Sequence, residues 1–151
     1  MRIVMKKLSI FLGALFIAVA MTSCVKPYEN TIPLALDGLV VVLPKTLDGK
    51  EPIHYAKVTS NGEWIAELET ADGSTWCWID PTRTDAEGNK TPIKGFKVLA
   101  NYEGSDLVCK VQGSGNLYIP IHFALSQSAH YAKLSVYRTD TGERCTLQLR
   151  Q

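Results

Sequence analysis

The sequence predicts an all-β protein, a sandwich of about seven to nine short strands that follows an N-terminal secretion signal. Three observations carry this prediction. Apolar and polar residues alternate with period two across most of residues 34–151. Turn-forming residues recur at intervals of roughly 8–12 residues, and helical periodicity is hard to find. The length of 151 residues suits one such domain with a single core.

The first 23 residues predict a lipoprotein signal peptide. Lys6 and Lys7 precede an apolar stretch, Leu8–Met21, which is shorter than the ~20 residues that a membrane-spanning helix needs. The stretch runs into Met-Thr-Ser-Cys, ending at Cys24. This motif resembles the lipobox of bacterial lipoproteins, which implies that Cys24 is lipidated and that acyl chains anchor the protein to a membrane. The alternative is an ordinary secretory signal with a coincidental cysteine.

Residues 24–33 predict a short tether between that anchor and a domain spanning 34–151. Pro27 and Pro33 both oppose regular structure in this segment. Surface-exposed lipoproteins of the Bacteroidetes often carry an acidic run after the lipidated cysteine, whereas here Glu29 stands alone. We therefore predict a lipid-anchored location at the outer membrane of the cell envelope, with the periplasmic and surface faces both open.

The domain begins with apolar strands and a predicted β-hairpin. Residues 39–43 form a β-branched run, and residues 54–60 and 63–70 are two alternating runs that flank Asn61-Gly62. Asn-Gly between alternating runs is the strongest short signal for a hairpin, because a type I′ turn needs positive φ at both central residues. In the second run Trp64 shares one face with Ala66 and Leu68, which predicts a core position for the indole.

Further strands follow at short intervals. In residues 117–125 the apolar side chains Ile119, Ile121, Phe123 and Leu125 are predicted to face inward. Pro120 then points outward and favours an edge strand, since proline lacks a ladder donor. The polar stretch 82–91 is predicted to be a loop. The other predicted strands are 75–80, 96–102, 107–111, 131–138 and 145–150.

The order of these motifs resembles that of the BACON domain, an immunoglobulin-like β-sandwich common in lipoproteins and glycan-utilisation proteins of the Bacteroidetes. The resemblance covers about residues 50–151 and lies in a sequence of short motifs: Gly62-x-Trp64, Trp76-x-Trp78-Ile79-x-Pro81, Gly113-x-Gly115 before an Ile-x-Ile-x-Phe strand, Ala132-x-Leu134-x-Val136, and Leu147-x-Leu149-x-Gln151. The usual Asn and Arg-x-Ala segment near the penultimate strand is absent, and the loops between Pro81 and Gly113 are longer than in the simplest form. The resemblance implies an immunoglobulin-like fold and carbohydrate binding or a spacer role.

Trp76, Trp78 and Tyr102 are the candidate ligand surface. Aromatic rings stack on the apolar C–H faces of sugars, and Trp76 and Trp78 lie two residues apart on one face of a strand. If Cys77 and Ile79 face the core, the two indoles stand exposed and form a patch that requires a partner. If the indoles face the core instead, no patch exists, and alternation alone does not decide between the two.

Three cysteines remain after Cys24, and three is an odd number for disulfide pairing. Cys109 and Cys145 alternate with apolar neighbours on their strands, so both are predicted to face inward, and Cys77 is the third. An oxidising envelope permits one disulfide, with Cys109–Cys145 the favoured pair. Three buried free thiols are the alternative, because a free cysteine also packs as a small apolar residue.

The remaining features argue against catalysis, metals, cofactors and nucleic acid. The chain has 16 Lys and Arg against 15 Asp and Glu, without the clustered basic residues that bind nucleic acid. His54, His122 and His130 lack the short spacing to other ligands that a zinc site uses. No Gly-x-Ser-x-Gly motif is present. We predict a non-enzymatic protein with no cofactor and no metal.

Two functional hypotheses follow. In the first, a lipid-anchored envelope protein uses its sandwich to bind a glycan or an envelope protein. In the second, the sandwich is a structural spacer or an accessory subunit of an envelope complex and has no ligand of its own. Exposed aromatic side chains distinguish the two hypotheses, because only the binding hypothesis requires them.

Overall fold

The computed structural model describes residues 32–46, 49 and 51–151, and every regular element among them is a β-strand. The all-β prediction is confirmed, although the described residues form twelve strands and not the predicted seven to nine. The predicted signal peptide, Cys24 and the tether up to residue 31 lie outside the described residues. No helix long and apolar enough to cross a membrane occurs in the described ranges. The strands are β1 (Ala35–Leu36), β2 (Val40–Val42), β3 (Ile53–Thr59), β4 (Glu63–Thr70), β5 (Cys77–Ile79), β6 (Thr82–Thr84), β7 (Lys90–Pro92), β8 (Lys97–Asn101), β9 (Val108–Ser114), β10 (Leu117–Phe123), β11 (Tyr131–Tyr137) and β12 (Arg144–Arg150).

These strands form two layers that face each other across one core. The first layer has the order β1-β3-β10-β5, and the second has the order β9-β4-β11-β12-β2, with β8 paired to the outer side of β9. Only one residue pair, Ile79 with Val108, joins β5 to β9, so the sheet turns a corner there. This arrangement is that of an immunoglobulin-like sandwich. Its ABED layer corresponds to β1, β3, β10 and β5, and its CFG layer corresponds to β4, β11 and β12.

The segment between β5 and β10 is an insertion into this plan. Instead of the long loop predicted for 82–91, the chain forms a separate two-stranded arm, β6–β7, in which Arg83 pairs with Thr91. The next two strands, β8 and β9, form a hairpin that widens the second layer by pairing with β4. The insertion therefore adds one arm outside the sandwich and two strands to it.

The core is built from the inward-facing residues of both layers, as alternation predicts. Trp64, Ala66 and Leu68 on β4 are at most 2% exposed, which confirms the predicted inner face of that strand. Inward positions on the other long strands are buried in the same way. The largest fully buried side chains besides these are Ile79, Ile119, Ile121, Leu134, Leu147, Leu149, Val58, Val111 and Val136.

The predicted hairpin at Asn61-Gly62 is wrong. Strands β3 and β4 do not pair, because β3 pairs with β1 and β10 in one layer and β4 pairs with β9 and β11 in the other. Gly62 does not adopt the positive φ of a type I′ turn. The connection crosses between layers and is held by the Gly113–Asn116 turn, where the Gly115 N–H donates to the Gly62 carbonyl oxygen at 3.1 Å.

Two predictions for the strand 117–125 are also corrected. Leu125 lies beyond the end of β10 and is 45% exposed rather than buried. Pro120 lies on a central strand, not on an edge. Its carbonyl oxygen accepts a hydrogen bond from the Asp80 N–H at 2.9 Å, just past the end of β5. In an antiparallel ladder, the N–H and the C=O of one residue point toward the same neighbouring strand. Pro120 therefore lacks its N–H on the side that faces β5, at a point where β5 has already ended.

The favoured Cys109–Cys145 disulfide is wrong as well, since Cys77, Cys109 and Cys145 are all free thiols. Cys109 is on β9 and Cys145 on β12, with β4 and β11 between them. Three strand spacings amount to about 14 Å, whereas disulfide-linked Cα atoms lie less than about 7 Å apart. Cys109 is also only partly buried, because the alternation slips by one residue and places Val108 and Val111 inward instead.

Candidate functional site

Trp76 is a core residue and is not available to a ligand. It is 5% exposed, and its indole N–H donates to the Tyr131 carbonyl oxygen at 3.4 Å. Its ring stacks on His130, with centroids 5.2 Å apart. Cys77 and Ile79 are fully buried as well. Trp76 lies before β5 begins, and its side chain is covered by His130 and by the Tyr131 backbone at the start of β11. The strand therefore does not present two exposed indoles.

Tyr102 does not extend an aromatic platform either. Its hydroxyl donates to the Cys77 carbonyl oxygen at 2.9 Å, so the side chain connects the β8–β9 hairpin to β5. Burial raises the pKa of the Tyr102 hydroxyl well above its usual value, with the neighbouring Cys77 and Cys109 as smaller contributions. Tyr102 therefore remains neutral and has a structural role, because its hydrogen bond links the β8–β9 hairpin to β5.

Trp78 is the only one of the three predicted ligand residues on the outer face of the first layer. It pairs with His122 of β10, and the two rings stack with centroids 5.6 Å apart and an interplanar angle of 10°. A pocket of about 290 Å³ beside them is lined in part by Asp80 and Lys90. Trp78 itself is only partly exposed.

Asp80 is the centre of a hydrogen-bonded cluster next to Trp78. Its carboxylate lies 2.9 Å from His122 Nε2 and 3.1 Å from Lys90 Nζ, and it accepts a hydrogen bond from the Thr82 hydroxyl at 2.6 Å. Burial raises the pKa of Asp80, but the hydrogen bonds from Thr82 and Lys90 outweigh that effect and lower it overall. The cluster therefore secures the β6–β7 arm to β10 through a charged carboxylate.

A second aromatic surface on the same outer face was missed by the sequence analysis. Tyr55 on β3 is 54% exposed and Tyr118 on β10 is 50% exposed. Together with Pro120, Thr82 and Arg83 they line a groove of about 490 Å³, a size within the range of roughly 300–1,000 Å³ typical of small-molecule sites. We call this the tyrosine groove.

The geometry of the tyrosine groove follows from strand register. Tyr55 pairs directly with Pro120, and Tyr118 pairs with Lys57, two residues along from Tyr55. The two tyrosines are thus diagonal neighbours on adjacent strands, roughly 7–8 Å apart and within reach of one ligand. Strand β6 of the arm supplies the remaining wall through Thr82 and Arg83. The alternation within 117–125 predicted which side chains face outward, but it did not predict that β3 pairs with β10.

The described residues contain no group of three or more His, Cys, Asp or Glu side chains that could hold a metal ion. No protein-family model and no curated protein matches this chain. One solved structure, the ASH / PapD-like domain of human CEP192 (PapD-like domain 7), is similar with a TM-score of 0.39 and 12% sequence identity. That match covers 85% of this chain and 92% of the other. Nothing about ligands or partners follows from a likeness of this degree.

Proposed function

We propose that this chain is a non-enzymatic, lipid-anchored envelope protein whose sandwich binds a carbohydrate in the tyrosine groove. The observation that carries the proposal is the pair Tyr55 and Tyr118, each about half exposed on neighbouring strands. Aromatic residues of this size are costly to leave in contact with water, and exposed apolar patches mark binding sites. A sugar suits the groove because its C–H face stacks on a ring while its hydroxyls bond to polar neighbours.

The groove also contains polar groups that can form hydrogen bonds with sugar hydroxyls. The tyrosine hydroxyls can donate and accept hydrogen bonds, and Thr82 and Arg83 add further polar groups along the same wall. Pro120, which lies opposite Tyr55 and two residues from Tyr118, adds an apolar surface to the groove. A groove of apolar surface with a few convergent polar groups is the usual form of a small-molecule site. The spacer hypothesis does not require this arrangement.

Support for the envelope assignment comes from the sequence. The segment ending at Cys24 resembles a lipobox, and the body resembles the BACON domain of Bacteroidetes lipoproteins. The two resemblances agree, because that domain is common in lipid-anchored proteins involved in glycan utilisation. The proposal therefore places the protein at the outer membrane, with its partner a glycan.

Binding to carbohydrate is tested with a soluble fragment, residues 25–151, which retains the compact unit Pro33–Gln151 and the whole described core. Affinity electrophoresis against a panel of polysaccharides is followed by calorimetry on oligosaccharides of those that bind. We expect Tyr118→Ala and Tyr55→Ala each to weaken binding about two- to tenfold, since one ring stack contributes roughly 0.5–1.5 kcal/mol. Tyr131→Ala is the matched control, because Tyr131 is 54% exposed but lies on β11 in the other layer.

Two results would overturn the binding proposal. One is the absence of binding to every polysaccharide by a folded fragment, which would favour the spacer hypothesis. The other is an equal loss of binding in Tyr131→Ala, which would place the ligand elsewhere.

Anchoring is tested separately on the full chain expressed in a bacterial host that processes lipoproteins. We expect metabolic labelling with a fatty acid and recovery in the membrane fraction, because two or three acyl chains hold a protein stably on a bilayer. Cys24→Ser should abolish the label, whereas Cys109→Ser, which removes a different free thiol, should retain it. Persistent labelling of Cys24→Ser would contradict lipidation at this position.

A further inference from the structure

We infer that the saccharide bound in the tyrosine groove carries an anionic group, a carboxylate or a sulfate ester, and that Arg83 binds it. This inference rests on the proposed function and names the chemical class of its ligand. It begins with the composition of the groove. Of its five lining residues, Tyr55, Thr82, Arg83, Tyr118 and Pro120, the single charged one is a cation.

Among the residues that the structure describes, no carboxylate pairs with the Arg83 guanidinium. Arg83 is exposed on the arm. The cation next to it on the arm, Lys90, is instead occupied by Asp80 at 3.1 Å. Arg83 shares the groove with the half-exposed rings of Tyr55 and Tyr118. Its guanidinium can therefore bind an anionic group of a ligand that stacks on these rings.

The two carboxylates nearest along the chain, Asp85 and Asp80, form no ion pair with Arg83. Asp85 accepts hydrogen bonds from the N–H groups of Glu87 and Asn89. Asp80 already receives hydrogen bonds from Thr82 and Lys90 and lies 2.9 Å from His122. On the far side of the groove, the exposed Lys57 pairs with Tyr118, and Asp37 lies beside it because the Asp37 N–H donates to the Lys57 carbonyl oxygen. Neither of these two residues lines the groove, so the charge within the groove comes from Arg83.

The position of Arg83 suits planar, two-point recognition. The residue sits on β6, paired with Thr91 of β7. The arm is held against the sandwich through the contacts that Thr82 and Lys90 make with Asp80. The base of the side chain is therefore fixed, while the guanidinium forms no ion pair within the described part of the chain. A guanidinium presents parallel N–H groups that match a carboxylate or a sulfate in two-point geometry, which a lysine ammonium does not do.

The test uses pairs of oligosaccharides that differ only in charge, with the fragment 25–151. One pair is tri-galacturonate and its methyl ester, a second is sialyllactose and lactose, and a third is sulfated and unsulfated galactan oligosaccharide. For at least one pair, we expect the acidic member to bind about tenfold more tightly at low salt, the size typical of a charge-assisted hydrogen bond. Arg83→Gln should remove this preference. Arg150→Gln, which deletes an exposed arginine on β12 in the other layer, should retain it.

The outcomes separate this inference from the proposed function. Equal binding of both members of every pair would overturn the inference and leave carbohydrate binding in place. Binding of no member by a folded protein would overturn the proposed function and the inference with it. An acidic preference that survives in Arg83→Gln would overturn the role of Arg83. Preference within the uronate or sialyl pair supports a carboxylate ligand, and preference within the galactan pair supports a sulfate.

Discussion

Replacing Gly113 with alanine is expected to lower the free energy of unfolding by about 3 kcal/mol, the upper end of the usual range for an overpacked core. Gly113 lies directly opposite Trp64 in the pairing of β9 with β4. A methyl group there would lie no more than 2.9 Å from three carbon atoms of the indole ring. The ring cannot move away easily, because its N–H donates to the Gly115 carbonyl oxygen and its edge contacts Phe96.

The measurement is urea denaturation of the fragment 25–151, with Gly62→Ala as the control. A methyl group at Gly62 would meet the guanidinium of Arg138, which can shift at the cost of weakening its hydrogen bonds to Asp140 and Asn61, so we expect a loss nearer 1 kcal/mol. Combining Gly113→Ala with Trp64→Phe should cost less than the sum of the two single changes, because the smaller ring relieves the clash. A loss below 1 kcal/mol for Gly113→Ala alone would show that the core accommodates the methyl group.

Replacing Trp76 with alanine is expected to lower the free energy of unfolding by about 3–5 kcal/mol, the range for truncating a large buried aromatic residue. The side chain is 5% exposed and stacks on His130, so its removal leaves a cavity that backbone neighbours cannot fill. Trp78→Ala is the matched control, since Trp78 is partly exposed, and we expect it to cost about 1 kcal/mol.

Ligand binding distinguishes a core role from a binding role for Trp76. Trp76→Phe retains most of the buried volume, so we expect it to leave the Kd for a bound oligosaccharide unchanged. Acrylamide should quench Trp78 while Trp64 and Trp76 are protected, because both of these are at most 5% exposed. Weakened binding in Trp76→Phe at unchanged stability would contradict the core assignment.

The inward faces of the long strands could be predicted from the sequence because each depends only on local alternation. Trp64, Ile119 and Ile121 are buried where period two places them. Strand pairing could not be predicted in the same way. Asn61-Gly62 carries the local signal of a hairpin, yet the two flanking strands gain more by pairing with β10 and β11 in opposite layers. Tertiary pairing overrode the turn preference.

The candidate site depended on that same non-local information. Trp76 and Trp78 attracted attention because they are close in sequence, but Trp76 precedes the strand and faces the core. Tyr55 and Tyr118 are 63 residues apart and come together only through the register of β3 with β10. Arg83 was predicted to lie in a plain polar loop, whereas it belongs to an arm that forms one wall of the groove.

The parallel pairing of β2 with β12 has a mechanical consequence. A pulling force applied between the start of the described chain and its last strand would first meet β1, which pairs with β3 over only two residues. Once β1 detaches, the load falls on β2 and β12, whose pairs run from Gln148 with Val40 to Arg150 with Val42. Two parallel strands pulled at opposite ends are loaded in shear, so their hydrogen bonds resist together instead of opening one after another. The sandwich is therefore arranged to bear tension along its own chain.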